Sequence, residues 1–256
     1  MTLRVLSYNI RYGGHGREAA IAAVLEAAAP DVVVFQEATD PAVIERIARL
    51  SGMSAWGARR GQSLGYASRV HPDDVSWHWP RSSRHAFLEL LPAGTGLRVF
   101  GVHLSAIHAA WTERRRVREV VALLDAIEAW RDAPHVLVGD FNTLPPGQLL
   151  DMQRLPARLR PFVWLSGGQI RWQVVSRMLD SGYVDVAATC ERVPTPTFPT
   201  WGPHLRLDYA FVPRERAADV RGYRVLTGPS EVPEASDHLP ILVEMEMHTP
   251  DGQSAT

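Results

Sequence analysis

There is no lysine anywhere in this 256-residue chain: all 27 residues of its Lys+Arg total are arginine. That excludes a lysine Schiff base, a lysine nucleophile and a P-loop of the usual kind, which places its lysine on the phosphates. Cationic recognition of phosphate falls to arginine, whose planar fork suits it. Cysteine is nearly absent too. Cys190 stands alone, so no intrachain disulfide and no cysteine zinc site can form, and it reads as a small buried hydrophobe. Excess charge is also missing: the net value is -1, which supplies no global basic field for nucleic acid. No run approaches the roughly 20 apolar residues of a membrane span. Met1-Thr2-Leu3-Arg4-Val5-Leu6 enters a strand without the apolar stretch of a signal peptide. The expectation is a soluble, cytoplasmic, monomeric protein.

What is present is a large hydrophobic fraction, 46%, enough for one sizeable α/β core. Strands are expected at Leu3 to Asn9, Asp31 to Gln36, Leu64 to Arg69, Val75 to Trp79, His85 to Leu91, Leu97 to Leu104, His135 to Gly139, Leu205 to Val212, Gly222 to Leu226 and Ile241 to Met247. Helices are expected at Glu18 to Ala29, Pro41 to Leu50 with Asp40 as cap, Ala110 to Trp130 and Trp172 to Leu179. Pro145-Pro146, Pro156 and Pro161 break the segment between the last two. Helices and strands alternate early, while strands dominate later. That favours two mixed β-sheets packed face to face with helices on the outer faces, a four-layered α/β sandwich, over a doubly wound sheet. With no repeat and no linker, residues 1–248 read as one domain and 249–256 as a flexible tail.

Polar residues recur where strands end. Asn9, Gln36-Glu37, His103, Asp140 with Asn142, Asp208 and Ser236-Asp237-His238 each adjoin strongly apolar sequence, where an unpaired carboxylate is costly. On extended backbone Asp140 and Asn142 project to one side and Phe141 to the other, into a core. If these ends converge, one rim carries carboxylates, amides and histidines. Hard oxygen ligands such as Asn9, Glu37 and Asp237 select Mg²⁺ or Mn²⁺ over zinc. Asp140 can take a proton from water, with Asn142 orienting it. His238 and His103 can bind phosphate oxygens, and a buried acid such as Asp208 raises the pKa of His238.

Six blocks carry a resemblance. Leu6-Ser7-Tyr8-Asn9, Val34-Phe35-Gln36-Glu37, Gly101-Val102-His103-Leu104, Val138-Gly139-Asp140-Phe141-Asn142, Leu207-Asp208-Tyr209 and Ser236-Asp237-His238-Leu239-Pro240 resemble, in order, the endonuclease/exonuclease/phosphatase superfamily. The resemblance implies a four-layered sandwich, a divalent metal and hydrolysis of phosphoesters, phosphodiesters foremost. It implies metal-site roles for Asn9, Glu37 and Asp237, and catalytic roles for His103, Asp140, Asn142, Asp208 and His238. Two positions depart from it. Some nucleases of the group pair the first histidine with an acid, and here the nearest equivalent is Leu64. Some abasic-site nucleases carry a second acid two residues after the asparagine, and here that residue is Arg11.

The substrate stays open among DNA or RNA, a phospholipid or inositol phosphate, and a small phosphoester; an inactive binding protein on this fold is the remaining alternative. Arg84, Trp201 and the segment from Trp164 to Trp172 are candidate substrate contacts, as are His108 and Trp111. The Arg114-Arg115-Arg116 run with Arg118 reads as a solvated helix face more readily than as a phosphate grip.

Overall fold

The apolar runs become the central strands of two sheets in a computed structural model, which describes residues 2–106, 110–148, 151 and 172–247. The first sheet holds β1 (Thr2–Asn9), β2 (Val32–Gln36), β3 (Ala55–Ala58), β4 (Leu64–Ser68), β11 (Val220–Val225) and β12 (Ile241–Glu246), in the order β11-β12-β1-β2-β4-β3. The second holds β5 (Pro72–His78), β6 (Phe87–Pro92), β7 (Arg98–His103), β8 (His135–Asp140), β9 (Tyr183–Asp185) and β10 (Asp208–Pro213), in the order β5-β6-β7-β8-β10-β9. Each sheet has one parallel pair, β1 with β2 and β7 with β8; the other pairings are antiparallel.

Alternation along the strands explains the layering. In β2, Val32 and Val34 enter the core between the sheets, while Val33 and Phe35 enter a second core beneath helices. In β7, Val99 faces the inter-sheet core and Phe100 and Val102 a third core. A strand buried on both faces needs an unbroken apolar run, and these have it. Helices α1 (Glu18–Ala28) and α2 (Pro41–Leu50) cover the first sheet through Ile21, Val24, Ile44 and Ile47. Helices α3 (Ala110–Ala126) and α4 (Gln173–Asp180) cover the second through Val120, Leu123, Val174 and Met178. The expected four-layered sandwich is therefore the observed one.

Local departures have local causes. Ala29 takes a left-handed conformation, φ 45°, and ends α1 a residue early. The helix expected to reach Trp130 stops at Ala126, and Glu128–Trp130 forms a separate 3-10 turn. Leu205 makes only an isolated bridge to Phe198, so β10 starts at Asp208. Strands β3 and β9, and the short helices α5 (Val186–Cys190) and α6 (Val232–Ala235), are too brief for periodicity to reveal. Asp40 does cap α2, its carboxylate accepting from the Ala42 N–H at 3.1 Å. Cys190 is exposed at the end of α5 and is not the buried hydrophobe expected. Pro156, Pro161, Trp164, His108 and the tail from 249 lie outside the described residues.

One close approach locks the second sheet. A Cβ on Gly139 would stand 1.9 Å from the Val102 carbonyl oxygen on the neighbouring strand. Gly139→Ala is expected to cost at least about 4 kcal/mol of unfolding free energy or to prevent folding, because the obstacle is backbone. Gly202→Ala, with open space around it, should stay within about 0.5 kcal/mol of the parent. Denaturant melts of the two variants compare them directly.

Candidate active site

The inter-sheet rows end in polar residues at one rim. In β8, Val136 and Val138 face the inter-sheet core, and Asp140 is the next residue of the same row. Asp208 precedes Ala210 and Val212 in the same way, and His103 follows Val99 and Gly101. Strand register then aligns them: His103 is opposite Asp140 across β7 and β8, and Asp208 is opposite Asp140 across β10 and β8. In the first sheet, Asn9 follows Leu3 and Val5 in the row facing between the sheets. Its Nδ2 donates to Asp140 Oδ2 at 3.0 Å, joining the two sheets.

Asp140 is held on both oxygens. Oδ1 accepts from the Asn142 backbone N–H at 2.8 Å, and Oδ2 accepts from Asn9. The strand ends at Asp140, and Asn142 adopts φ 51°. Strict alternation therefore does not reach Asn142. Its Nδ2 instead donates to the Leu104 carbonyl at 3.1 Å, so the expected amide beside the acid acts first as a turn that grips the carboxylate. Phe141 is buried in the core on the helix side, as expected.

Two histidines face Asp140 Oδ2, His103 Nε2 at 3.8 Å and His238 Nε2 at 4.0 Å. Both distances exceed a hydrogen bond, which leaves each Nε2 available to a third group. Their protonation differs. Burial works against charge on His238, but the Asp208 carboxylate, 3.0 Å from Nδ1, overcomes it with help from Asp140 and Asp237 and lifts the imidazole to about 10. His103 goes the other way: burial, then the charges of His85, His238 and Arg84, hold it well below the usual value. Burial raises Asp140 to about 7, opposed by His238 and increased by Asp208.

The partner of His103 is Ser63. Its hydroxyl hydrogen-bonds Nδ1 and also accepts from the Glu37 backbone N–H at 3.3 Å. Leu64, the expected equivalent, is buried in the inter-sheet core. A serine adds no charge, consistent with a neutral imidazole; with its hydroxyl donating to Nδ1, the ring proton sits on Nε2, toward Asp140. His85 stacks parallel on His103, with centroids 4.9 Å apart. Neither Ser63 nor His85 stood out in the sequence, since a serine inside a loop and a histidine before a strand carry no pattern of their own.

Glu37 and Asp237 border the same rim. Glu37 directly follows Gln36, the register partner of Asn9, and accepts from the Tyr12 backbone N–H. Asp237 lies 3.3 Å from Arg11 Nε, and Asn9 Oδ1 accepts from the Arg11 backbone N–H at 2.9 Å. Asn9, Glu37 and Asp237 thus offer neutral and anionic oxygens around one short loop, a donor set that fits a hard divalent ion. Asp140, Asp208 and His238 also bring ligating atoms within 4.8 Å of one another. There, however, His238 Nδ1 is committed to Asp208, and an imidazolium has no lone pair for a metal.

Other candidates separate. Trp201 is 72% exposed and approaches Phe198, which in turn packs on His238. Arg84 is exposed, and its charge acts on both His85 and His103. The arginine run is not simply a solvated face: Arg116 is buried and gives Nε and Nη2 to Glu113 Oε2 at 3.1 and 2.8 Å, with Nη1 on the Ser105 carbonyl at 2.8 Å. Arg114 and Arg118 are exposed, while Arg115 pairs with Glu119 at 3.3 Å.

The model of the Endonuclease/Exonuclease/phosphatase family matches residues 6–238. The chain belongs to that family. Its fold is similar to a 3' phosphatase from Neisseria bound to a product DNA hairpin, with TM-score 0.70, 19% identity, and 95% of this chain and 99% of that one covered. An AP endonuclease from Archaeoglobus fulgidus is also similar, with TM-score 0.67, 18% identity and coverage of 94% and 98%. A family protein from Beutenbergia cavernae gives TM-score 0.71 at 21% identity, covering 98% of this chain and 73% of that one. A comparison with curated proteins gave no significant sequence match. Among the described residues, no helix is long and apolar enough to cross a membrane.

The two histidines should titrate apart. Nitrogen-15 NMR at pH 8 is expected to show His238 protonated and His103 neutral. Asp208→Asn removes the carboxylate that lifts His238, so His238 should then lose its proton well below pH 10, while His103 stays neutral. An unchanged His238 signal in that variant would show that Asp208 is not what holds the proton.

Proposed function

We propose that this chain is a phosphoester hydrolase dependent on Mg²⁺ or Mn²⁺, with phosphodiesters as its main substrates. The reading rests above all on the placement of Asp140 between one neutral and one protonated histidine, each Nε2 just beyond hydrogen-bond distance of Asp140. A tetrahedral phosphoryl group placed there meets two N–H donors and a carboxylate. Asp140, fixed on both oxygens, takes the proton of the attacking water. His238, charged and held by Asp208, binds a non-bridging oxygen, and His103 binds another as a neutral donor. Asn142 acts by fixing Asp140. Asn9, Glu37 and Asp237 would hold the ion, which supplies polarisation of the phosphoryl group and charge at the leaving oxygen.

Nucleic acid is the second reading. Tyr12, 73% exposed, and Trp201, 72% exposed, stand beside the segments carrying Glu37 and His238. Aromatic rings so placed suit stacking on bases, and the Neisseria relative is seen with a DNA hairpin. The net charge of -1 argues against a long duplex footprint. An inactive binding protein is disfavoured, because the acid, amide and histidine positions are filled.

Activity on a panel of plasmid, single-stranded DNA, RNA, a phosphodiester chromogen, a phosphomonoester and phospholipid vesicles should appear with Mg²⁺ or Mn²⁺ and vanish with chelator. Asp140→Asn and His238→Ala are each expected to lower kcat by about 10²–10⁴-fold while the proteins remain folded. The base must be ionised and His238 protonated. Turnover should therefore rise as pH passes about 7 and fall near 10. Normal turnover by both variants in excess metal would refute this mechanism.

A further inference from the structure

Arg11 stands beside the oxygens of Asn9 and Asp237, and the structure fixes it there. It lies two residues beyond Asn9 in a loop where Arg11 and Tyr12 both take positive φ, 49° and 47°, followed by Gly13 and Gly14 at 77° and 73°. Non-glycine residues hold such conformations only where their surroundings impose them. Here Arg17 does so: it donates to the Arg11 carbonyl through Nη2 and to the Ala235 carbonyl through Nη1 at 2.7 Å. One guanidinium therefore ties the Arg11 loop to α6, which leads directly into Asp237. Ser236 adds a second tie by donating to the Asn9 carbonyl at 2.6 Å.

The result is Arg11 Nε 3.3 Å from Asp237 Oδ2, the only ion pair of Arg11 among the described residues. Nε is buried and makes no hydrogen bond. The contact is thus an attraction of charges without a well-aligned bond, and the fork of the guanidinium is not committed to the carboxylate. The side chain remains 43% exposed at the rim, with the Tyr12 ring 5.2 Å from its Cζ. An acid at this position would add a negative charge beside Asp237; the arginine adds a positive one. A second divalent ion near Asp237 would face that fixed charge at short range.

We propose that the Arg11 guanidinium takes the place of a second cation at this site. It neutralises the Asp237 oxygen it touches, so that Asn9, Glu37 and the other Asp237 oxygen together bind a single divalent ion. It also offers its Nη atoms to a phosphate oxygen of the substrate. The inference rests on the hydrolase reading above and adds to it the stoichiometry of the ion and a residue that binds the phosphate.

The test is binding to the whole chain, read without turnover. Mn²⁺ titration followed by electron paramagnetic resonance should give one ion per wild-type chain. Arg11→Asp should bind a second ion or bind the first at least about fivefold more tightly. With Mn²⁺ saturating, calorimetry with inorganic phosphate should show about tenfold weaker binding in Arg11→Gln and a smaller loss in Arg11→Lys, which keeps charge but not the fork. Thermal melts confirm that each variant is folded. Two Mn²⁺ ions in the wild type, unchanged Mn²⁺ binding in Arg11→Asp, or unchanged phosphate binding in Arg11→Gln would each overturn the proposal while leaving the hydrolase reading intact. A wild-type chain that binds no Mn²⁺ would overturn both.

Discussion

The pairing of β8 with its two neighbours decides where everything else can stand. Parallel contact with β7 places His103 beside Asp140, and antiparallel contact with β10 places Asp208 on the other side. The approach is closest at Gly139, whose backbone meets the Val102 carbonyl with no room for a side chain. A slip of one residue along either neighbour would turn His103 or Asp208 to the helix side, where the core is built from Phe100, Leu137 and Phe211. An unpaired carboxylate there would cost several kcal/mol. The apolar rows behind the site therefore enforce its register.

Charge is then divided across a small distance. On the Asp140 side, burial and the Asp208 carboxylate produce one protonated and one neutral histidine facing the same acid. On the loop side, Glu37 and Asp237 are partly exposed while Asn9 is buried, and Asp237 touches an arginine. The Asn9 side chain links the halves, giving Nδ2 to Asp140 and taking the Arg11 N–H on Oδ1.

The fold was legible because its strands are long and apolar on both faces, as in Val32 to Phe35 and Val136 to Val138. Alternation also carried most of the site: Asn9, His103 and Asp140 end largely apolar rows, and Asp208 opens one. What failed was whatever depends on the backbone after a strand ends. Asn142 left the expected face because its conformation is left-handed. Ser63, one residue before Leu64, reaches His103 from a loop that has no periodicity to read. Arg116 could not be told from Arg114 and Arg118 by composition; its buried partners, Glu113 and the Ser105 carbonyl, distinguish it. The departure at Arg11 was visible as a residue, whereas its contact with Asp237 required the loop geometry that Arg17 imposes.

The central claim is that the cation-binding oxygens and the acid–histidine pair are distinct halves of one site. Anomalous diffraction from crystals soaked in Mn²⁺ tests it most directly. The account predicts a single peak beside the Glu37 carboxylate, on the side of Asn9 and Asp237, with His238 still bonded to Asp208. A peak coordinated by Asp140, Asp208 and His238 would contradict it.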